Sequence, residues 1–259
     1  MDEQASSEPS DIVAIIVAAG SSSRMGPGGD KIWADLDGRP VLAYSLATLG
    51  ATPGVTRIVV VASREWHAEI DEIARLGAAA PVTAVEGGAR RRDSVAAGID
   101  AAPDAAWYLV HDGARPLLTP ALVARVVQAA RRTGAAVPGV PVVDTIKRVR
   151  GTPDPQTRDA ESIEETVDRT ALRAVQTPQA FRGDLLRRAH AEVAADATDD
   201  ASMLEALGIP VALVEGDRAN LKVTTPADLV LARALLAERL SPAPAPALEA
   251  RATAPERGR

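Results

Sequence analysis

Arg24 and Lys31 stand a few residues apart, in and just after the small-residue run Ala18-Ala19-Gly20-Ser-Ser-Ser23 that follows an apolar segment. Ala, Gly and Ser let backbone N–H groups come close to a ligand and donate to its oxygens. Two neighbouring cations can then neutralise the charge of a polyphosphate. The stretch therefore reads as a loop that wraps a nucleoside triphosphate. It lacks the second and third glycines of a dinucleotide fingerprint and the Gly-Lys-[Ser/Thr] of a Walker A loop. The competing reading is a flexible turn with two solvated cations. Such turns usually run about 2–6 residues, and this one is longer.

Further along, Gly87-Gly88-Ala-Arg-Arg-Arg-Asp-Ser94 combines close backbone approach with the start of a helix, where anions or base carbonyls are favoured. Ser94, about one turn in, could reach a base edge, while at least two of the three arginines read as a solvated run. In His111-Asp112-Gly-Ala-Arg-Pro116, Asp112 at a strand end suits a magnesium ion or a substrate hydroxyl. A turn cap is the plainer role for Asp112, a core position for His111, and a structural ion pair for Arg115. Asp144-Thr145-Ile-Lys147, Val167-Asp-Arg169, Gln176-Thr177-Pro-Gln179, Thr198-Asp199 and Asn220-Leu-Lys222 are each weak alone. Together their hydroxyls and cations suit phosphate oxygens. No Ser–His–Asp set is evident, and cysteine is absent, which excludes thiol nucleophiles and zinc–thiolate sites. The balance favours direct phosphoryl or nucleotidyl transfer.

Positioning these residues requires a frame, and apolar runs alternating with helical patterns supply one. Strands are expected at 12–18, 57–62, 81–85, 107–111, 135–137, 172–175, 211–214 and 221–223. Helices are expected at 40–49, 65–76 (ended by Gly77), 90–101, 121–133, 184–194, 200–207 (ended by Gly208) and 225–240. Strand and helix in alternation predict a mostly parallel α/β sheet, whose ligands bind beyond the carboxyl ends of its strands. Gly20, Gly88 and Asp112 all fall at such ends. The pattern breaks at about 141–170, a polar excursion with little to bury alone, which reads as a functional or interaction arm.

The 259 residues suffice for one sizeable domain, expected at 11–240, between a polar tail at 1–10 and a Pro/Ala-rich tail at 241–259 that both read as disordered. A net charge of −6 argues against a dedicated nucleic-acid binder. An uncharged apolar run of about 18 residues, the minimum for a membrane span, is missing. The acidic start does not suit a signal peptide, so a cytoplasmic location is expected.

Taken in order, eight motifs resemble the 2-C-methyl-D-erythritol 4-phosphate cytidylyltransferases. They are Ala18-Ala-Gly…Arg24-Met…Lys31, Gly87-Gly…Asp93-Ser-Val, Leu109-Val-His-Asp-Gly-Ala-Arg-Pro, Asp144-Thr-Ile-Lys, Thr166-Val-Asp-Arg, Gln176-Thr-Pro-Gln, Thr198-Asp-Asp-Ala-Ser and Leu221-Lys-Val-Thr. The resemblance spans roughly residues 11–240. It implies a Rossmann-like (GT-A-like) nucleotidyltransferase fold with a protruding β-arm, and transfer from CTP to methylerythritol phosphate with Mg²⁺ or another divalent cation. By matched position, Arg24, Lys31 and Lys222 would neutralise charge on the phosphates. Ala18, Ala19, Gly20, Gly88 and Ser94 would hold the nucleotide. Asp112, Thr145, Arg169, Thr177, Thr198 and Lys222 would hold the acceptor, with Asp112 also facing the metal. The 141–170 arm would cross to a second subunit, implying a homodimer. A sister activity on ribitol 5-phosphate and a non-catalytic nucleotide sensor are the alternatives. Three local departures from the family pattern are Ser21 in place of a second glycine, Gly28-Gly-Asp30 before Lys31, and Ile32-Trp33 after it.

Overall fold

In the computed structural model, residues 11–20, 30–150, 162–194 and 197–240 are described. Arg24, the serine run and both expected tails lie outside them. The β-branched run Ile12–Val17 forms β1, with its first five residues buried. A short hairpin, β2 (Asp35–Leu36) and β3 (Arg39–Pro40), leads into α1 (Val41–Gly50). Then come β4 (Val55–Ala62), α2 (His67–Gly77), β5 (Val82–Glu86), α3 (Arg91–Asp100), β6 (Trp107–Asp112), α4 (Pro120–Thr133) and β7 (Ala135–Pro141). The chain continues through β8 (Ile146–Arg150), β9 (Ser162–Val167), β10 (Arg173–Val175) and β11 (Gln179–Arg182). It closes with α5 (Gly183–Glu192), α6 (Asp200–Ala206), β12 (Ala212–Glu215) and α7 (Pro226–Leu240).

One eight-stranded sheet has β1 near its middle, between β4 and β6, with β5 beyond β4 and β11 beyond β6. The pairs β1/β4, β1/β6, β4/β5 and β7/β12 are parallel, whereas β11 and β10 run antiparallel to their neighbours. The expected mostly parallel sheet is thus present. Alternate residues of β1 enter opposite cores. Ile12, Ala14 and Ile16 pack with Leu42 and Leu46 of α1 and Leu122 and Val126 of α4. Val13 and Ile15 pack with Val95 and Ile99 of α3 and Leu186 of α5. A strand covered on both faces needs this continuous apolar sequence. A third, smaller cluster joins Leu36, Val41, Leu117 and Val223 to Ala232 and Leu236 of α7.

Helix ends follow from local chemistry. Thr119 Oγ1 accepts from the Leu122 N–H at 3.3 Å, Pro120 takes the first helical position, and Gly134 ends α4 at φ +89°. Asp228 accepts from the Thr224 and Thr225 N–H groups at 2.9 and 2.8 Å, and Thr225 Oγ1 accepts from the Asp228 N–H at 3.3 Å. This reciprocal pattern is the capping box the sequence suggests. Two expectations need correction. Gly77 is the last residue of α2 rather than a left-handed stop, because Ala78 leaves the helix in extended conformation. Residues 221–223 form no strand; the Val223 N–H donates to the Ala114 carbonyl at 2.8 Å without joining a ladder.

Gly98 shows how closely α3 lies on β1. A Cβ there would stand 2.6 Å from Ile15 Cγ2. Helix propensity favours Ala over Gly by about 1 kcal/mol, but overpacking costs about 1–3 kcal/mol. We expect Gly98→Ala to lose up to about 2 kcal/mol in denaturant unfolding. A variant as stable as the parent would refute the close packing.

Candidate active site

The chain leaves β1 toward β4 and β5, then returns to β1's other side as β6. That reversal opens a crevice beyond the carboxyl ends of β1 and β6, where ligands of open α/β sheets bind. Val17 and Asp112 are register partners at its floor. A cleft of about 130 Å³ sits there, lined by Val17, Ala18, Gly20, Lys31, Arg91, Asp112, Ala114 and Lys222.

The glycine loops are built for close approach. Ala18 donates its N–H to Val61 O at 2.8 Å, which extends the β1 ladder into the loop. A Cβ on Gly87 would stand 2.3 Å from Ala19 Cβ, so the loops after β1 and β5 touch only because Gly87 has none. Gly88 donates its N–H to Ser94 Oγ at 3.2 Å, and Ser94 donates in turn to Arg90 O at 3.3 Å. Ser94 is buried, so its hydroxyl organises the start of α3.

Lys31 leans over the first loop, its Nζ 3.7 Å from where a Gly20 Cβ would be. Asp30 fixes the turn beneath it: Oδ1 accepts from the Ile32 N–H at 3.2 Å and the carbonyl from the Trp33 N–H at 3.1 Å. Buried Ile32 and the stacking of Trp33 on Trp66, 5.0 Å between ring centres, anchor the far side. The Asp30 and Ile32-Trp33 departures thus build the turn that carries Lys31.

Asp112 is the charge centre of the cleft. Lys222 Nζ lies 2.8 Å from Oδ2, Arg115 Nε 3.7 Å from Oδ2, and Arg91 Nε 3.7 Å from Oδ1. Burial pushes the Asp112 carboxyl up, but Lys222 and Arg91 outweigh it and hold it at about 2. Arg115 is itself fixed by donating to Asn220 O at 2.7 Å, and the Asn220 amide donates to Thr177 O at 2.8 Å. Thr177 Oγ1 accepts from the Asp112 N–H at 3.0 Å and lies 3.1 Å from His111 Nδ1. His111 is fully buried, and burial pushes it down to about 4, so at neutral pH it is an uncharged core residue.

The structure therefore brings together Ala18, Gly20, Lys31, Asp112 and Lys222, with Ala19, Gly88, Ser94 and Thr177 immediately behind them. Thr145 and Arg169 do not line this cleft; both are exposed, near the base of the separate β8/β9 hairpin, where Arg169 donates to Val143 O. Thr198 is exposed on the turn before α6. Arg24 lies outside the described residues.

Arg91 is the residue the sequence did not single out. Its Nη1 donates to Asp200 Oδ2 at 2.7 Å, whereas its neighbour Arg90 turns outward to Asp93 at 2.8 Å. Arg91 Nη2 is buried and has no acceptor among the described residues, a burden of roughly 1–3 kcal/mol. The helical register offered a weak signal, since Arg91 precedes the buried pair Ser94 and Val95 by one turn.

A mostly parallel sheet with a switch-point cleft, two glycine loops and converging cations around one carboxylate defines a nucleotidyltransferase-type α/β enzyme. Over residues 12–238 the sequence matches the family profile of 2-C-methyl-D-erythritol 4-phosphate cytidylyltransferase, IspD. The protein of that name from Nocardia farcinica is 46% identical over 231 residues, covering 88% of this chain and 95% of its own. The crystal structure of the Thermus thermophilus protein of that name is 38% identical, with a TM-score of 0.66 over 86% of this chain and 98% of its own. The 4-diphosphocytidyl-2C-methyl-D-erythritol synthase of Anaerococcus prevotii gives 28% identity and a TM-score of 0.73, over 87% and 98%. The chain belongs to the 2-C-methyl-D-erythritol 4-phosphate cytidylyltransferase family.

Proposed function

We propose that this chain transfers the cytidylyl group of CTP to 2-C-methyl-D-erythritol 4-phosphate, giving CDP-methylerythritol and pyrophosphate for isoprenoid precursor synthesis. The observation that carries this reading is the meeting of Gly20, Lys31, Asp112 and Lys222 in one cleft at the switch point. An oxygen of the acceptor phosphate attacks the α-phosphorus in line. The bond from that phosphorus to the bridging oxygen breaks, and its electron pair leaves with pyrophosphate. No protein nucleophile takes part, so positioning and electrostatic stabilisation supply the catalysis.

In this reading Ala18, Ala19, Gly20 and Gly88, with Ser94 behind them, seat the nucleotide, while Arg24, Lys31 and Lys222 neutralise the phosphates. Asp112 takes the acceptor's hydroxyls. Thr177 has one hydroxyl proton, which goes either to His111 Nδ1 or to a phosphate oxygen. Among the described residues no group of three His, Asp or Glu could hold a metal alone. One carboxylate facing the cleft fits a Mg²⁺ carried mainly by the triphosphate, which would supply charge neutralisation there. The enzyme works in the cytoplasm as a homodimer, its 141–170 arm delivering Thr145 and Arg169 into the neighbour's site, where Thr177, Thr198 and Lys222 also hold the acceptor's phosphate. Exposure of Val149 and Ile163 on the β8/β9 hairpin supports a covered arm.

Pyrophosphate release, measured with each of four nucleoside triphosphates against methylerythritol phosphate and ribitol phosphate, tests the reading. We expect release with CTP and methylerythritol phosphate. Preference for ribitol phosphate would overturn the acceptor, and no CTP-dependent release with either would overturn the enzyme.

A further inference from the structure

Asp200, the first residue of α6, is fully buried and stands between two basic side chains. Arg91 Nη1 donates to its Oδ2 at 2.7 Å, and His190 Nε2 of α5 lies 3.0 Å from its Oδ1. Burial pushes the Asp200 carboxyl up, yet the His190 hydrogen bond and the charge of Arg91 hold it below the usual carboxylate range. The preceding residue pins this end of α6: Asp199 accepts from the Ser202 N–H at 3.0 Å and the Gln179 amide at 2.7 Å. Asp200 is therefore a fixed anchor.

Arg91 spans from that anchor to the cleft wall. Its Nε stops 3.7 Å from Asp112 Oδ1, too far for a hydrogen bond. A guanidinium free to swing would close on Asp112 as a bidentate pair, the geometry this fork prefers, and mask the carboxylate. Asp200 holds it back. We propose that Arg91 is a further substrate-facing cation of the transfer site, and that Asp200, backed by His190, is its positioning residue. This rests on the cytidylyl-transfer reading, with Arg91 giving a phosphate oxygen of CTP or of the acceptor a donor that Asp112 would otherwise take.

Steady-state kinetics with CTP and methylerythritol phosphate varied in turn tests it. Asp200→Asn is expected to raise KM for one of the two substrates about tenfold to a hundredfold, the value of a charged hydrogen bond. Arg91→Lys keeps the charge at the cleft wall but cannot reach both carboxylates, so it should shift the same KM and covers the case in which Asp200→Asn does not fold. The double variant should be no worse than the worse single one, since both act through one contact. A structural defect that only reduces the active fraction lowers kcat and leaves KM alone. Unchanged KM values, or losses that multiply in the double variant, would overturn the proposal. Absence of turnover in the parent chain would instead overturn the transfer reading.

Discussion

Replacing Lys222 by Ala should lower CTP-dependent pyrophosphate release about 10²–10³-fold, the usual cost of losing one preorganised charge-stabilising donor. Among the described residues Lys222 is the nearest cation to Asp112, at 2.8 Å, and it reaches the cleft from a backbone tied to Ala114. Its loss leaves Asp112 with Arg91 and Arg115, so the fold should survive. Circular dichroism and thermal unfolding close to the parent would confirm that the lost rate is chemical. Lys222→Arg should recover only part of it, because a planar fork does not place its charge where a compact ammonium does. An alanine variant with parental turnover would remove Lys222 from the catalytic set.

Asp112→Asn should be the most destabilising single change in the cleft, by about the 2 kcal/mol that its charge contributes near neutral pH. It strips the counter-charge from Lys222 and from the largely enclosed Arg115, and leaves Arg91 with Asp200 alone. The same residue sets an acid dependence. Its carboxyl is held at about 2, below the ordinary 3.8, so its stabilising effect is complete above about pH 4. It fades as pH falls toward 2, and its total is on the order of 2 kcal/mol. Denaturant unfolding across that range should show this loss in the parent and a flatter profile in the variant. Parallel profiles would place the acid sensitivity elsewhere.

The elements that frame the cleft were legible because each carries its own signal. β1 is a continuous apolar run and β4 becomes one from Ile58, α4 is bracketed by Thr119-Pro120 and Gly134, and α7 opens on its capping box. β11 was missed: Gln179–Arg182 is short and mixed, and becomes a strand only by filling the place between β6 and β7. Lys31 and Lys222 were legible from motif alone, and Asp112 also from its position at the end of β6. Arg91 was not, since three consecutive arginines look alike until a carboxylate 109 positions away draws one of them inward. That pairing belongs to tertiary structure.

The small cluster of Leu36, Val41, Leu117 and Val223 against α7 has a mechanical consequence. Val223 follows Lys222 directly, and Leu36 closes the short segment that begins at Lys31. Arg233 ties α7 to Asp35 O at 2.6 Å, and Arg239 ties it to Leu117 O at 2.6 Å. The two lysines are thus the tips of a caliper whose pivot is apolar and lies away from the chemistry. Adding or removing a methyl group at that pivot would reset the gap between the tips. The span of phosphate the enzyme accepts could then change while every charged residue stays the same.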